Sequence, residues 1–233
     1  GGVEVEKGTG TNAVLDFGNI RAPDPDRNRP SPPARDDATI QVNSDYRQGQ
    51  NVPVDVKALL VYDYDTIADT SVVVAPRTLA PEVDSSPEVD NTAGPVQMDV
   101  VSEAVISVPD DGTQASTQVC LEVKNAGGGT PLLPSVYDSG INSVPPGNGN
   151  RNGNAMEVTA EINSNLVSVS GENPKTIRLY DGTATTRCWN IQTRQGAAEN
   201  INRQTTERVS FVAEYAYRDK DSIGLSITGT EGS

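Results

Sequence analysis

The chain contains no histidine. Histidine is the side chain whose ordinary pKa lies nearest neutrality, so imidazole acid/base catalysis, a Ser/His/Asp arrangement and histidine ligation of a metal are all excluded. Aromatic residues are scarce as well, 4% of 233 residues with one Trp and two Phe, and strand cores consume nearly all of these before a sugar-binding platform could be built. No run of twelve residues places apolar side chains three and four apart, so helices are not expected. No apolar run is long enough for a signal or membrane helix. The chain opens Gly1-Gly2, and the expectation is a processed or trimmed form from which any anchor has been removed. Lysine stands only at Lys7, Lys57, Lys124, Lys175 and Lys220.

What is present is acid, glycine and proline. The formal charge is −14, and 21 Gly and 16 Pro accompany only 35% hydrophobic residues, below the roughly 45–50% apolar usage (glycine included) of average globular domains. Such a chain is rich in loops or built in thin layers, and an all-β fold is expected. A phosphate backbone requires a basic surface, so nucleic acid is not an expected partner. The acids are spread over short loops rather than gathered in tails. That suggests a solvated acidic shell, which keeps a protein dispersed where salt screens charge strongly.

Alternation supplies the architecture. Val209, Phe211, Ala213, Tyr215 and Tyr217 occupy every second position, polar Arg218–Asp221 follows, and Ile223, Leu225 and Ile227 resume the period. Val56, Ala58, Leu60, Tyr62 and Tyr64, then Asp65–Asp69, then Thr70, Val72 and Val74 repeat the pattern. A period of two puts each set on one sheet face, and the polar stretches predict turns, so each copy reads as a hairpin. Two tandem β-sandwich units of Ig-like or jelly-roll-like type follow from this: a small one over 1–80, a proline-rich acidic linker over 81–94, and a larger one of about eight strands over 95–233. Val3 and Val5 alternate with glutamates in a terminal strand that is expected to pair within its own sheet, and that is also the candidate assembly strand for pairing with a neighbouring molecule. Deleting Gly1 to Lys7 is expected to abolish assembly and leave the fold.

Few residues offer chemistry. Cys120 stands on the Glu122/Lys124 face of a strand whose other face is Val119, Leu121 and Val123, and Cys188 alternates with Trp189 and Ile191. Both thiols then face outward, and a disulfide across neighbouring strands is expected; two reduced thiols and an intermolecular bridge are the alternatives. Acidic residues at the predicted turns, Asp63, Asp65 and Asp69, Asp110 and Asp111, and Asp219 and Asp221, are candidate calcium ligands, although no twelve-residue calcium loop is present. Simple solvation is the competing reading. No other cofactor is expected. Two carboxylates could serve a glycosidase, but without aromatic platforms a non-catalytic role is expected. Gly127–Gly129 lacks the helix and Lys-Ser/Thr of a phosphate cradle and reads as a turn. No Asn-x-Ser/Thr acceptor for glycosylation occurs.

Two resemblances bear on habitat. Scarce Lys with abundant Asp resembles proteins of salt-loving archaea, and an ordinary acidic secreted protein is the competing reading. The strand ending in Lys124-Asn125-Ala126-Gly127-Gly128-Gly129, with the Tyr-x-Tyr pairs Tyr62/Tyr64 and Tyr215/Tyr217, resembles Ig-like β-sandwich modules of archaeal cell-surface proteins and bacterial adhesion-related repeats. That resemblance implies a non-catalytic structural or adhesion subunit outside the cell, in a filament, surface layer or stalk, whose partners are its own copies or other surface proteins and which makes no membrane contact within this segment. The alternative is a capsid or spike protein of a virus infecting such a host.

Overall fold

The computed structural model describes residues 3–4, 38–39, 49, 51–82, 87–135, 153–180 and 183–228. The chain divides into two compact units, Gly1–Lys57 with Ser222–Ser233, and Ala58–Asp221. The expected boundary at 81–94 therefore falls inside the second unit, and most of the expected sandwich over 1–80 lies outside the described residues. In the first unit β1 (Val3–Glu4) pairs in parallel with β2 (Ala38–Thr39), Val3 opposite Ala38; Val5 lies outside the described residues.

The described residues are all-β. Along the chain follow β3 (Asn51–Pro76), β4 (Asp90–Asn91), β5 (Val96–Val100), β6 (Val105–Val108), β7 (Ser116–Asn125) and β8 (Thr130–Leu132). Then come β9 (Ala155–Glu161), β10 (Val167–Ser170), β11 (Lys175–Arg178), β12 (Thr185–Thr193) and β13 (Thr205–Thr228). Two sheets build the larger unit. One has four strands in the order β10-β12-β7-β5; the other has seven, with β11-β9-β13-β3-β4 as its spine, β6 pairing in parallel with β3 and β8 pairing with β13.

The alternation decides which side of each sheet is buried. On β7, Val119, Leu121 and Val123 are buried, as are Trp189 and Ile191 on β12. They meet Met156 and Val158 of β9, Phe211 and Ala213 of β13, and Val72 and Val74 of β3 in one apolar core. Trp189 stands edge-on to Phe211 with ring centroids 5.2 Å apart, which ties the four-stranded sheet to the seven-stranded one face to face. Each fully buried side chain of this size contributes about 1.5–3 kcal/mol relative to exposure, so the core explains why two thin, polar-backed sheets stay together.

The predicted hairpins are not formed. β3 is one strand of 26 residues and β13 one strand of 24, each passing through the stretch expected to turn. The two copies pair with each other instead. Asp69 bonds Arg208 and Ser210, and Tyr64 stacks on Tyr215 while Tyr62 packs on Tyr217, so numbers fall along β13 as they rise along β3, an antiparallel pairing. The reason is local: Asp65–Asp69 and Arg218–Asp221 contain no Gly, Pro or Asn to set a reversal, and Thr66, Ala68 and Thr70 keep the buried register of β3 unbroken. Elsewhere the expected turn at Pro109–Gly112 is present, closed by Gly112 N–H donating to the Pro109 carbonyl at 3.1 Å with Gly112 at φ +69°.

Candidate functional site

Pairing β3 with β13 brings the two Tyr-x-Tyr motifs together. Centroid distances are 6.2 Å for Tyr62–Tyr64, 5.8 Å for Tyr62–Tyr217, 5.9 Å for Tyr64–Tyr215 and 6.2 Å for Tyr215–Tyr217. Offset and edge-on ring pairs of this kind add about 0.5–1.5 kcal/mol each beyond area burial. Three hydroxyls are partnered. Tyr64 donates to the Ala93 carbonyl at 2.6 Å, Tyr215 shares a hydrogen bond with Thr66 Oγ1 at 2.8 Å, and Tyr217 donates to Asn125 Oδ1 at 3.1 Å while accepting from Gly129 N–H at 2.8 Å. Burial pushes the Tyr215 phenol up to about 12, and desolvation raises Tyr62 and Tyr217 as well. These phenols are neutral packing groups at ordinary pH.

The glycine run that ends β7 closes over this cluster. A Cβ on Gly129 would lie 2.5 Å from the Arg218 carbonyl oxygen and 2.5 Å from Tyr217 Cε1, so only glycine lets the loop approach. Asn125 holds the loop from below, its Nδ2 donating to the Gly129 carbonyl at 2.8 Å. The two motifs that carry the resemblance to surface modules, the Lys-Asn-Ala-Gly-Gly-Gly run and the tyrosine pairs, are thus one piece of packing.

Cys120 and Cys188 form a disulfide between β7 and β12, directly opposite one another, with Cα atoms 3.9 Å apart. On the other edge of β12, Arg194 N–H bonds the Leu166 carbonyl and the register pairs Gln192 with Ser168, so even-numbered residues direct their backbone groups toward β10 and away from β7. Cys188 and Cys120 therefore occupy a non-hydrogen-bonded pair, where opposed side chains come closest. Neither cysteine belongs to the buried core, as the alternation on both strands requires.

Of the candidate calcium ligands, Asp63, Asp65, Asp69, Asp219 and Asp221 lie along strands rather than in turns, and Asp110 and Asp111 stand in the turn at Pro109–Gly112. Asp63, Asp65 and Asp69 lie along one strand, and Asp65 and Asp69 are about 13 Å apart at the rise of a β-strand. Asp69 is committed: Arg208 Nε and Nη2 reach its carboxylate at 3.1 and 2.5 Å and Ser210 Oγ donates at 2.5 Å, hydrogen bonds that hold its pKa below the ordinary value. Asp111 accepts from the Thr113 N–H and hydroxyl at 3.0 and 2.8 Å, and Asp219 from Lys220 N–H at 2.9 Å. Among the described residues no three His, Cys, Asp or Glu side chains come together to hold a metal.

Sequence reasoning missed the side chains that cover strand edges. The Asn91 amide donates to the Met98 carbonyl at 2.8 Å and accepts from Met98 N–H at 3.1 Å, taking the place of a neighbour on β5. Asn173 does the same for Ala160 on β9, at 2.9 Å in each direction. Ser102 bonds Gln118 and Cys120 where β7 outruns β5, and Lys175 Nζ donates to the Cys188 carbonyl at 2.6 Å while lying 5.4 Å from the Trp189 ring centroid. A loop Asn or Ser carries no sequence signal for such a role. No family model, curated protein or solved structure matches this chain.

Proposed function

We propose that the chain is a non-catalytic structural or adhesion subunit of an extracellular assembly, a filament, surface layer or stalk, of a salt-loving archaeon. The observation that carries this reading is a surplus of apolar strand surface. Leu60 keeps the core-facing register of β3, and Ile223 and Leu225 keep that of β13, yet they are 45%, 60% and 42% exposed. Apolar side chains at alternate positions of an exposed strand are a surface for association. The disulfide supports an oxidising location, and the net charge of −14 supports solubility in strong salt.

Strand order supports an Ig-like reading of the sandwich. With β5, β7, β12 and β10 as strands A, B, E and D, and β9, β13 and β3 as C, F and G, the sheets have the ABED and CFG make-up of that fold. Two departures are plain. The disulfide joins B to E within one sheet, and the strand in the G position precedes strand A in the chain.

Electron microscopy of the purified chain in molar salt tests the function. Regular filaments, sheets or particles are expected, and the double variant Ile223→Lys with Leu225→Lys should abolish them while leaving the circular dichroism spectrum unchanged. Single molecules at every salt and protein concentration would overturn the proposal.

A further inference from the structure

Resting on that reading, we infer that β3 is a transferable strand: in the assembly, the seven-stranded sheet of one copy is completed by β3 of a second copy of this chain. The topology points there first. β3 comes before every other strand of the Ala58–Asp221 unit, yet it lies inside the sheet, with β13, the last strand, on one side and β4 and β6 on the other. Removing it would leave β13 and β6 without their shared neighbour, beside the core residues Phe211, Tyr215 and Ile106.

What fills that place is a simple alternating row. Ala68, Val72 and Val74 are fully buried, and Thr66 and Thr70 continue the row, with Thr66 Oγ1 2.8 Å from Tyr215 Oη and Thr70 Oγ1 donating to the Glu88 carbonyl at 3.0 Å. Backbone ladders to both neighbours do the rest, and an identical strand from another copy reproduces every one of these contacts. Exchange of an identical element is a low-cost route to association for this reason, and addition of an extended segment to a sheet is a general mode of recognition.

The connection after β3 suits transfer. Arg77, Thr78, Leu79, Pro81 and Glu88 are exposed, and the segment from 77 to 89 carries prolines and acids, with Val89 at its end packed against the core. Fully extended it spans about 45 Å, enough to leave one sandwich and enter the next. Elsewhere side chains cover backbone groups that lack a neighbouring strand: Asn91 on the edge strand β5 at Met98, and Asn173, Ser102 and Lys175 where the inner strands β9, β7 and β12 overhang their neighbours. Edge-to-edge addition is blocked at these places.

Paired cysteines read the strand's owner. Asp69→Cys with Ser210→Cys joins β3 to β13 where the side chains already touch, and Asn51→Cys with Thr228→Cys does so at an exposed pair 2.7 Å apart, a second variant with no buried group to disturb. Each full-length variant is oxidised in dilute solution and after assembly in molar salt, then run on a denaturing gel without reductant. The expected result is monomer bands from dilute solution and a ladder of covalent oligomers, trimers and beyond, from the assembled material. Assemblies visible by microscopy that give only monomer bands with both pairs would overturn strand transfer while leaving the assembly function intact. Absence of any assembly would overturn both.

Discussion

Replacing Cys120 and Cys188 together by serine tests how the larger unit is held. The bridge joins residues 68 apart in sequence, and in the chain-entropy description closing a loop of that length removes unfolded-state freedom equivalent to about 4 kcal/mol. The native structure has little to lose beside this. β7 and β12 stay registered over eight residue pairs, the core residues on both strands point the other way, and the new hydroxyls lie outside the core. The destabilisation therefore resides in the unfolded chain, and the fold survives. For a unit of this size each kcal/mol shifts the melting temperature by about 2–4 °C, so the double variant should melt about 8–16 °C lower, measured by calorimetry. Its urea m-value should rise, because the unbridged unfolded chain is more expanded. Reduction of the native protein should reproduce both changes and add two hydrogens in mass. A fall of less than about 2 °C with an unchanged m-value would refute the assignment of this stability to the unfolded state.

Two further outcomes follow from the tyrosine cluster. Tyr215 has its folded pKa raised to about 12 by burial, above an unfolded value near 10, so its contribution is fully present below about pH 10 and is lost as pH rises from there toward 12. Unfolding free energy measured over that window should fall more steeply for the native chain than for Tyr215→Phe; equal slopes would remove the phenol from the account. Gly129→Ala places a Cβ against the Arg218 carbonyl and Tyr217 and should cost about 1–3 kcal/mol by chemical denaturation, whereas Gly128→Ala, with nothing within 4 Å, should stay within about 0.5 kcal/mol. Matching losses at the two positions would contradict the close approach of this loop to β13.

Much of the fold was legible in the residues. The outward placement of both cysteines followed from the alternation of Val119, Leu121 and Val123 on one strand and of Trp189 and Ile191 on the other, and both strands are present as β7 and β12. The mistaken turns had a readable signal too. From Val56 to Val74 the period of two runs on through Thr66, Ala68 and Thr70, and from Val209 to Ile227 it lapses only at Asp219 and Asp221; neither polar stretch holds a Gly, Pro or Asn, and Asp alone does not force a reversal. Polarity alone marks exposure, and an outward-facing strand position is as polar as a turn.

By itself the sequence determined the faces: which side chains share one side of a strand, that imidazole chemistry is absent, and that the net charge is strongly negative. Those properties are set residue by residue, through side-chain transfer to and from water. Tertiary structure alone decided the neighbours. That β3 lies beside β13 rather than folding back on itself, that β6 runs parallel to β3, and that Asn91 and Asn173 stand in for missing strands all depend on backbone N–H and C=O groups. Those groups are the same at every position of a strand, so composition and periodicity cannot say which partner they find.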